Sequence, residues 1–253
     1  MTLSITLIQT DIIWENISKN LEIYSDKIKN IKTDVIVLPE MFTTGFTMKP
    51  QNSAEDMFGE TITWMKSNSS RLDCAICGSI IIKEDNKYFN RFIWVNPDGT
   101  LFHYDKKHLF SFAGENEHYS SGDSKLIIEY KGYKICPLIC YDLRFPVWSR
   151  NVENYDLLLY VANWPSIRKK AWKSLLIARA IENQCYAIAA NQGGFHLNGR
   201  ETFGHTMIVD PWGKVISRLP NGSGVVTAEV SAERIRSVRK AFPALDHVKL
   251  INA

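Results

Sequence analysis

The chain is 253 residues long and 45% hydrophobic, enough to bury one core without disulfides or a metal, so a single domain over residues 1–253 is expected. Its 30 basic and 27 acidic residues leave a formal charge of +3, with the densest basic cluster (Arg168-Lys169-Lys170 and Lys173) inside a predicted helix, which argues against a nucleic-acid partner. No run nears the roughly 20 apolar residues of a membrane span, the N-terminus has no basic lead into an apolar stretch, and an odd count of five cysteines suits a reducing compartment; a soluble cytoplasmic protein is expected.

Alternation over residues 3–8 predicts a first strand. Ile17, Leu21, Tyr24, Ile28 and Ile31 then recur at three- and four-residue spacing, an amphipathic helix that must cover a sheet. Asp34 to Leu38 returns as a strand, a helix follows near 60–70, and strands over 74–82 and 88–96 flank the turn Glu84-Asp85-Asn86-Lys87. Asn96-Pro97-Asp98-Gly99 is a further turn, feeding a strand that ends near Lys106, and 109–124 reads as a loop. Leu126 to Tyr130 and Tyr133 to Ile139 are strands around Lys131-Gly132, and Asp156 to Ala162 is apolar almost throughout, as in an interior strand covered on both faces. A helix over Ser166 to Glu182 precedes the strand Cys185 to Ala190. A hairpin through Asp210-Pro211-Trp212-Gly213, a strand from Val225 to Val230 and a helix from Ala232 to Arg239 complete the series.

Tight turns join only antiparallel neighbours, so interleaved helices and hairpins demand mixed sheets. About a dozen strands are too many for one modest open sheet; the predicted class is α/β, with two mixed sheets face to face and helices outside.

Three strand ends carry chemistry. Cys140 follows Lys134 to Ile139, Glu40 closes Asp34 to Pro39, and Lys106 follows Leu101 to Asp105: a nucleophile, a proton carrier and an oxyanion clamp from separate segments. Lys107 is an alternative to Lys106, since adjacent strand side chains diverge. Cys74 and Cys77 lie three apart in a strand and face opposite sides, and no Cys/His pair follows, so no metal site is expected. Cys136 and Cys185 read as packing residues.

Leu38-Pro39-Glu40, then Tyr104-Asp105-Lys106-Lys107-His108-Leu109-Phe110, then Cys140-Tyr141-Asp142-Leu143-Arg144-Phe145-Pro146 occur in order, and with them the chain resembles the nitrilase superfamily of carbon–nitrogen hydrolases from Ile8 to Gly213. The resemblance implies a four-layer α-β-β-α sandwich, a Glu-Lys-Cys catalytic set, a homodimer, and cofactor-free hydrolysis of a small-molecule amide. It selects Lys106, two residues before the histidine, over Lys107. It places a second glutamate at Glu115, counted back from Gly122, with Glu117 as rival. Val147 to Asn151, Leu159 to Pro165, Ala178 to Gln184 and Gly114 to Tyr119 look like the omega-amidase branch, which deamidates 2-oxoglutaramate and 2-oxosuccinamate. The segment Asn198 to Met207 looks more like members acting on deaminated glutathione or other amides. N-carbamoyl amide hydrolysis is a further alternative, and a catalytically silent binding protein is the non-enzyme reading.

In that chemistry Cys140 forms a thioester, Glu40 shuttles the proton, and Lys106 with the backbone amide of Tyr141 faces the oxyanion. The lysine is expected to favour the thiolate. Phe42, Phe110, Tyr119 and Trp164 are candidate walls of the acyl pocket, and His118 in the loop is a candidate substrate contact. Asp142 and Arg144 are expected to share one side of a strand end as a structural pair; the alternative has Arg144 binding a substrate carboxylate, with Arg168 a second candidate. His108 and His205 raise a rival Cys-His mechanism, but His108 reads as a structural hydrogen-bonding residue.

Overall fold

The computed structural model describes residues 1–194 and 204–247. In chain order its elements are β1 (Thr2–Gln9), α1 (Ile17–Ile28), β2 (Val35–Val37), α2 (Glu60–Leu72), β3 (Ala75–Glu84), β4 (Lys87–Val95), β5 (Leu101–Asp105), α3 (Glu115–His118), β6 (Ile128–Tyr130), β7 (Tyr133–Ile139), β8 (Leu157–Ala162), α4 (Lys169–Asn183), β9 (Tyr186–Asn191), β10 (Met207–Val209), β11 (Val215–Arg218), β12 (Gly224–Ser231) and α5 (Ala232–Ala241). The strands form two six-stranded sheets, ordered β12-β1-β2-β3-β4-β5 and β11-β10-β9-β8-β7-β6. Both are mixed: β1, β2 and β3 run parallel in the first, β7, β8 and β9 in the second, and their other pairings are antiparallel.

Strand alternation builds the layers. Leu3, Ile5, Leu7, Val35, Val37, Ala75 and Cys77 point into the core shared with the second sheet. Ile8, Ile36, Leu38, Cys74 and Ile76 belong to a separate outer core with Leu21, Tyr24 and Ile28 of α1 and Ile62 and Met65 of α2. Cys74 and Cys77 therefore sit in different layers. On the other side α4 lays Trp172, Leu176 and Ala180 against the second sheet. The result is the four-layer α-β-β-α sandwich that the sequence implies.

Local chemistry sets the turns. Pairing of β3 with β4 runs to Glu84 and Lys87, and the two residues between, Asp85 and Asn86, take φ of 48° and 60°. Such residues suit a two-residue hairpin, because the polar side chains tolerate the left-handed region.

Two segments differ from expectation. The 109–124 loop contains a 3-10 turn at Ser111–Ala113 and the one-turn helix α3, too short to leave a periodic signal. Cys140–Arg144 is a 3-10 helix instead of a strand end. At three residues per turn, positions two apart diverge. Asp142 is buried, Arg144 is exposed, and among the described residues the expected pair between them is absent.

Parallel neighbours bring strand ends together. β5 is antiparallel to β4, which is antiparallel to β3, so β5 ends at the same edge as β2. Glu40 lies just past β2, Lys106 past β5, Cys140 past β7 and Asn163 past β8. All four converge where the two sheets face each other.

Candidate active site

At this edge Lys106 Nζ lies 2.9 Å from Glu40 Oε1 and 2.9 Å and 3.0 Å from the two oxygens of Glu115, and all three side chains are fully buried. Lys106 also stands 5.1 Å above the ring of Phe46. Burial works against the ammonium, yet the carboxylates of Glu115 and Glu40 outweigh it and hold the amine above its ordinary range. Burial likewise holds Glu115 above the usual carboxylate value, against the pull of Lys106. One cation thus sits between two acids in a dry site, where unshared charge is costly.

Glu40 uses its second oxygen to accept the backbone N–H of Asn163 at 2.8 Å, and its charge acts on the Cys140 thiol. Cys140 has φ of 43°, in the left-handed region that side chains rarely adopt. It is partly exposed as a residue, but its sulfur is enclosed. Burial pushes the thiol well above 9.0, the charge of Glu40 pushes the same way, and Lys106 only partly opposes them. Burial and Glu40 thus outweigh the lysine that was expected to favour the thiolate. A thiol under the influence of a neighbouring carboxylate is set to pass its proton to that carboxylate as the nucleophile attacks.

The residues around this set were less visible in the sequence. Asn90 donates to Glu40 Oε1 at 2.8 Å and to Glu115 Oε1 at 3.2 Å; its only signal is an amide within the apolar strand Lys87–Val95. Asp142 accepts from Tyr104 Oη at 2.8 Å and from the backbone N–H groups of His108 and Ile139, each at 3.0 Å. His108 Nδ1 adds a 2.8 Å contact to Asp142, and its ring stacks on Phe145 at 3.7 Å. That is the structural role read for His108. His205 Nε2 lies 2.8 Å from Asn221 Oδ1.

The remaining sequence candidates separate. Glu115 enters the cluster, whereas Glu117 is exposed, since residues two apart on α3 face opposite ways. Lys107 is half-buried, with its amine 5.4 Å from the Trp148 ring. Phe42 is a correction: Met41, at φ 45°, turns the chain after Glu40, and Phe42 packs in the outer core 5.2 Å from Tyr24. A Cβ on Gly78 would come within 2.9 Å of Phe42, so only glycine admits this ring. Tyr119 is buried with Met41 and Ile81, and its hydroxyl donates to Thr47 O at 2.7 Å. Trp164 is buried 5.5 Å from Trp172, and its indole donates to Arg168 O. Phe110 is half-buried 5.0 Å from Tyr141, and its N–H donates to Glu115 Oε2, which ties this aromatic pair to the charged cluster. His118 is exposed at the end of α3, outside the buried set. Arg168 lies 4.9 Å above Phe110 and Arg144 5.3 Å above Trp164. Among the described residues neither guanidinium has a carboxylate within ion-pair distance. Residues 198–203 of the segment that set this chain apart from the omega-amidase pattern lie outside the described residues.

Residues 4–240 match the carbon–nitrogen hydrolase family model, and the chain belongs to that family of enzymes. It is 45% identical to the omega-amidase YafV of Yersinia enterocolitica over 96% of this chain and 95% of that protein. It is 34% identical to the 2-oxoglutaramate amidase of Bacillus subtilis, over 98% of each. The fold superposes on the crystal structure of XC1258 from Xanthomonas campestris, a CN-hydrolase superfamily protein with an arsenic adduct in its active site, at a TM-score of 0.97 and 39% identity over the whole of both chains.

Proposed function

We propose that this chain hydrolyses omega-amides of 2-oxo dicarboxylates, 2-oxoglutaramate and 2-oxosuccinamate, to the acid and ammonia through a Cys140 thioester. The observation that carries the reading is Glu40, 2.9 Å from Lys106 and with its charge bearing on the Cys140 thiol. Glu40 takes the thiol proton as sulfur bonds to the amide carbon. Glu40 accepts one N–H of Lys106 and Glu115 shares a second between its two oxygens, so the third meets the developing oxyanion beside the N–H of Tyr141. The C–N bond breaks as Glu40 returns the proton to the departing ammonia. Water then gives a proton to Glu40 and its oxygen attacks the thioester; the sulfur leaves and recovers that proton. Glu115 holds Lys106 in place and is not the primary base.

Arg144 and Arg168, stacked on aromatic rings with no ion-pair partner among the described residues, support an anionic acyl chain. Guanidinium forks match carboxylates. The names of the relatives point to the same substrate class. Residues 1–253 act as one domain, in the cytoplasm. Among the described residues no helix is long and apolar enough to cross a membrane. Exposed Val147, Ile181, Trp212 and Phe242 support a second copy as partner in a homodimer.

The test is ammonia release from 2-oxoglutaramate, deaminated glutathione, a carbamoyl amine and neutral propionamide. Arg144→Met and Arg168→Met should raise KM for 2-oxoglutaramate about 10- to 100-fold, the worth of a charged hydrogen bond, and leave propionamide unaffected. Preference for the neutral amide, or turnover surviving Cys140→Ala, would sink the reading.

A further inference from the structure

We propose that Asn90, oriented by Ser79, is a positioning residue that holds Glu40 and Glu115 apart as two separate acceptors and keeps Glu40 ready to receive the thiol proton. The inference rests on Glu40 acting as the proton carrier.

The geometry is a closed ring of contacts. Ser79 Oγ accepts the N–H of Met41 at 3.0 Å and donates its own proton to Asn90 Oδ1 at 2.9 Å. Asn90 Nδ2 then reaches Glu40 Oε1, and Glu40 is bonded directly to Met41. Ser79 therefore ties down both the backbone turn after Glu40 and the carboxylate itself. The same contact fixes which way the amide faces. With Oδ1 taken by the serine, Asn90 can present only N–H groups to the carboxylates, one to Glu40 and one to Glu115. Its backbone carbonyl accepts the N–H of Lys106 at 3.0 Å, so one residue touches all three members of the charged cluster. Asn90 and Ser79 are both fully buried, where a free amide or hydroxyl would be costly.

The charges facing Glu40 explain why this matters. Lys106 comes from the end of β5, Glu115 from α3, Tyr119 from the segment after it, and Cys140 from the end of β7. A single ammonium serves two carboxylates. Without the amide, both oxygens named Oε1 lose a donor and compete for Lys106, and a proton settles between them. Glu40 is then already protonated when the thiol must lose its own proton. Two neutral N–H donors relieve that competition without adding a charge.

The test uses the whole protein with iodoacetamide, which reports the readiness of Cys140 to lose its proton and needs no assumption about substrate. Alkylation of Cys140 is followed by peptide mass spectrometry from pH 5 to 9, beside kcat and KM on 2-oxoglutaramate. In Asn90→Leu, close in size but without donors, the acid limb of alkylation should move up by about one pH unit, as loss of a hydrogen bond to a charged group implies. kcat should fall about 10- to 100-fold, with KM within about threefold of wild type. Ser79→Ala should shift the limb in the same direction by less, and Ser79→Thr, which keeps the hydroxyl, should restore it. The Ser79 pair decides the matter if Asn90→Leu does not fold. An unmoved limb in folded Asn90→Leu, or Ser79→Thr behaving like Ser79→Ala, would overturn the proposal. Normal alkylation profiles without turnover of 2-oxoglutaramate would strike the substrate assignment alone, whereas an alkylation rate indifferent to Glu40→Gln would remove the proton carrier on which both depend.

Discussion

Lys106 Nζ stands 2.9 Å from Glu40 Oε1 with neither side chain exposed to water. The pair is completed by Glu115 at the same distance, so the lysine neutralises two acids that the fold forces together. Removing one partner from a buried ion pair costs about 3–5 kcal/mol, because the charge left behind cannot be solvated. Lys106→Met should accordingly lower the urea midpoint sharply, and adding Glu115→Gln should recover part of the loss. A single variant as stable as wild type would show that the lysine does not carry this load.

The conformation of Cys140 makes a second, opposite prediction. A non-glycine residue at φ 43° stores roughly 1–2 kcal/mol of strain. Cys140→Gly relieves it, whereas Cys140→Ala does not. The glycine variant should melt higher than the alanine variant, with both inactive. Equal melting temperatures would show that the turn is unstrained.

Asp142 holds the nucleophile's turn from below, joining Tyr104, His108 and Ile139 through one buried carboxylate. Replacing it by alanine orphans several donors at once, at about 1–3 kcal/mol for each left unsatisfied. Asp142→Ala should therefore lose both stability and kcat, measured by urea unfolding and ammonia release. Asp142→Asn, which retains an acceptor, should lose less of each. Identical behaviour of the two variants would argue that the hydrogen bonds are not what matters.

Alkaline pH should weaken the fold. Burial raises Cys74 to about 11 and Cys136 to about 12, and drives Cys77, Cys140 and Cys185 up as well. Groups raised in the folded state hold protons that the unfolded chain releases near 9.0. Their contribution is complete below that pH and is lost as pH rises towards the folded values, at up to about 1.4 kcal/mol per pH unit for each group. Urea midpoints under reducing conditions should fall between pH 8 and pH 10. A constant midpoint would mean that the thiols are already solvated.

Much of the architecture was legible in local pattern. Apolar alternation and three- to four-residue periodicity located the strands and long helices, because burial of one face is written along a single segment. The glutamate, lysine and cysteine were conspicuous because each follows a strand. Pairing across the chain left a weaker trace. Asp142 and Arg144 were expected to face one way, and a 3-10 turn separated them. Phe42 was expected near substrate, and one left-handed residue before it sent the ring to the outer core.

What the amino-acid order determined by itself was which elements form and which chemically active residues end them, since both depend on neighbours within a few positions. Only the tertiary structure decided that Glu115 and not Glu117 meets Lys106, that Asn90 spans both acids, and that burial outweighs the lysine at the Cys140 thiol. The site is set by desolvation and by hydrogen bonds that range from 9 positions apart, between Lys106 and Glu115, to 123, between Asn163 and Glu40. The longest of these closes only when the two sheets pack, since Glu40 follows a strand of one and Asn163 a strand of the other.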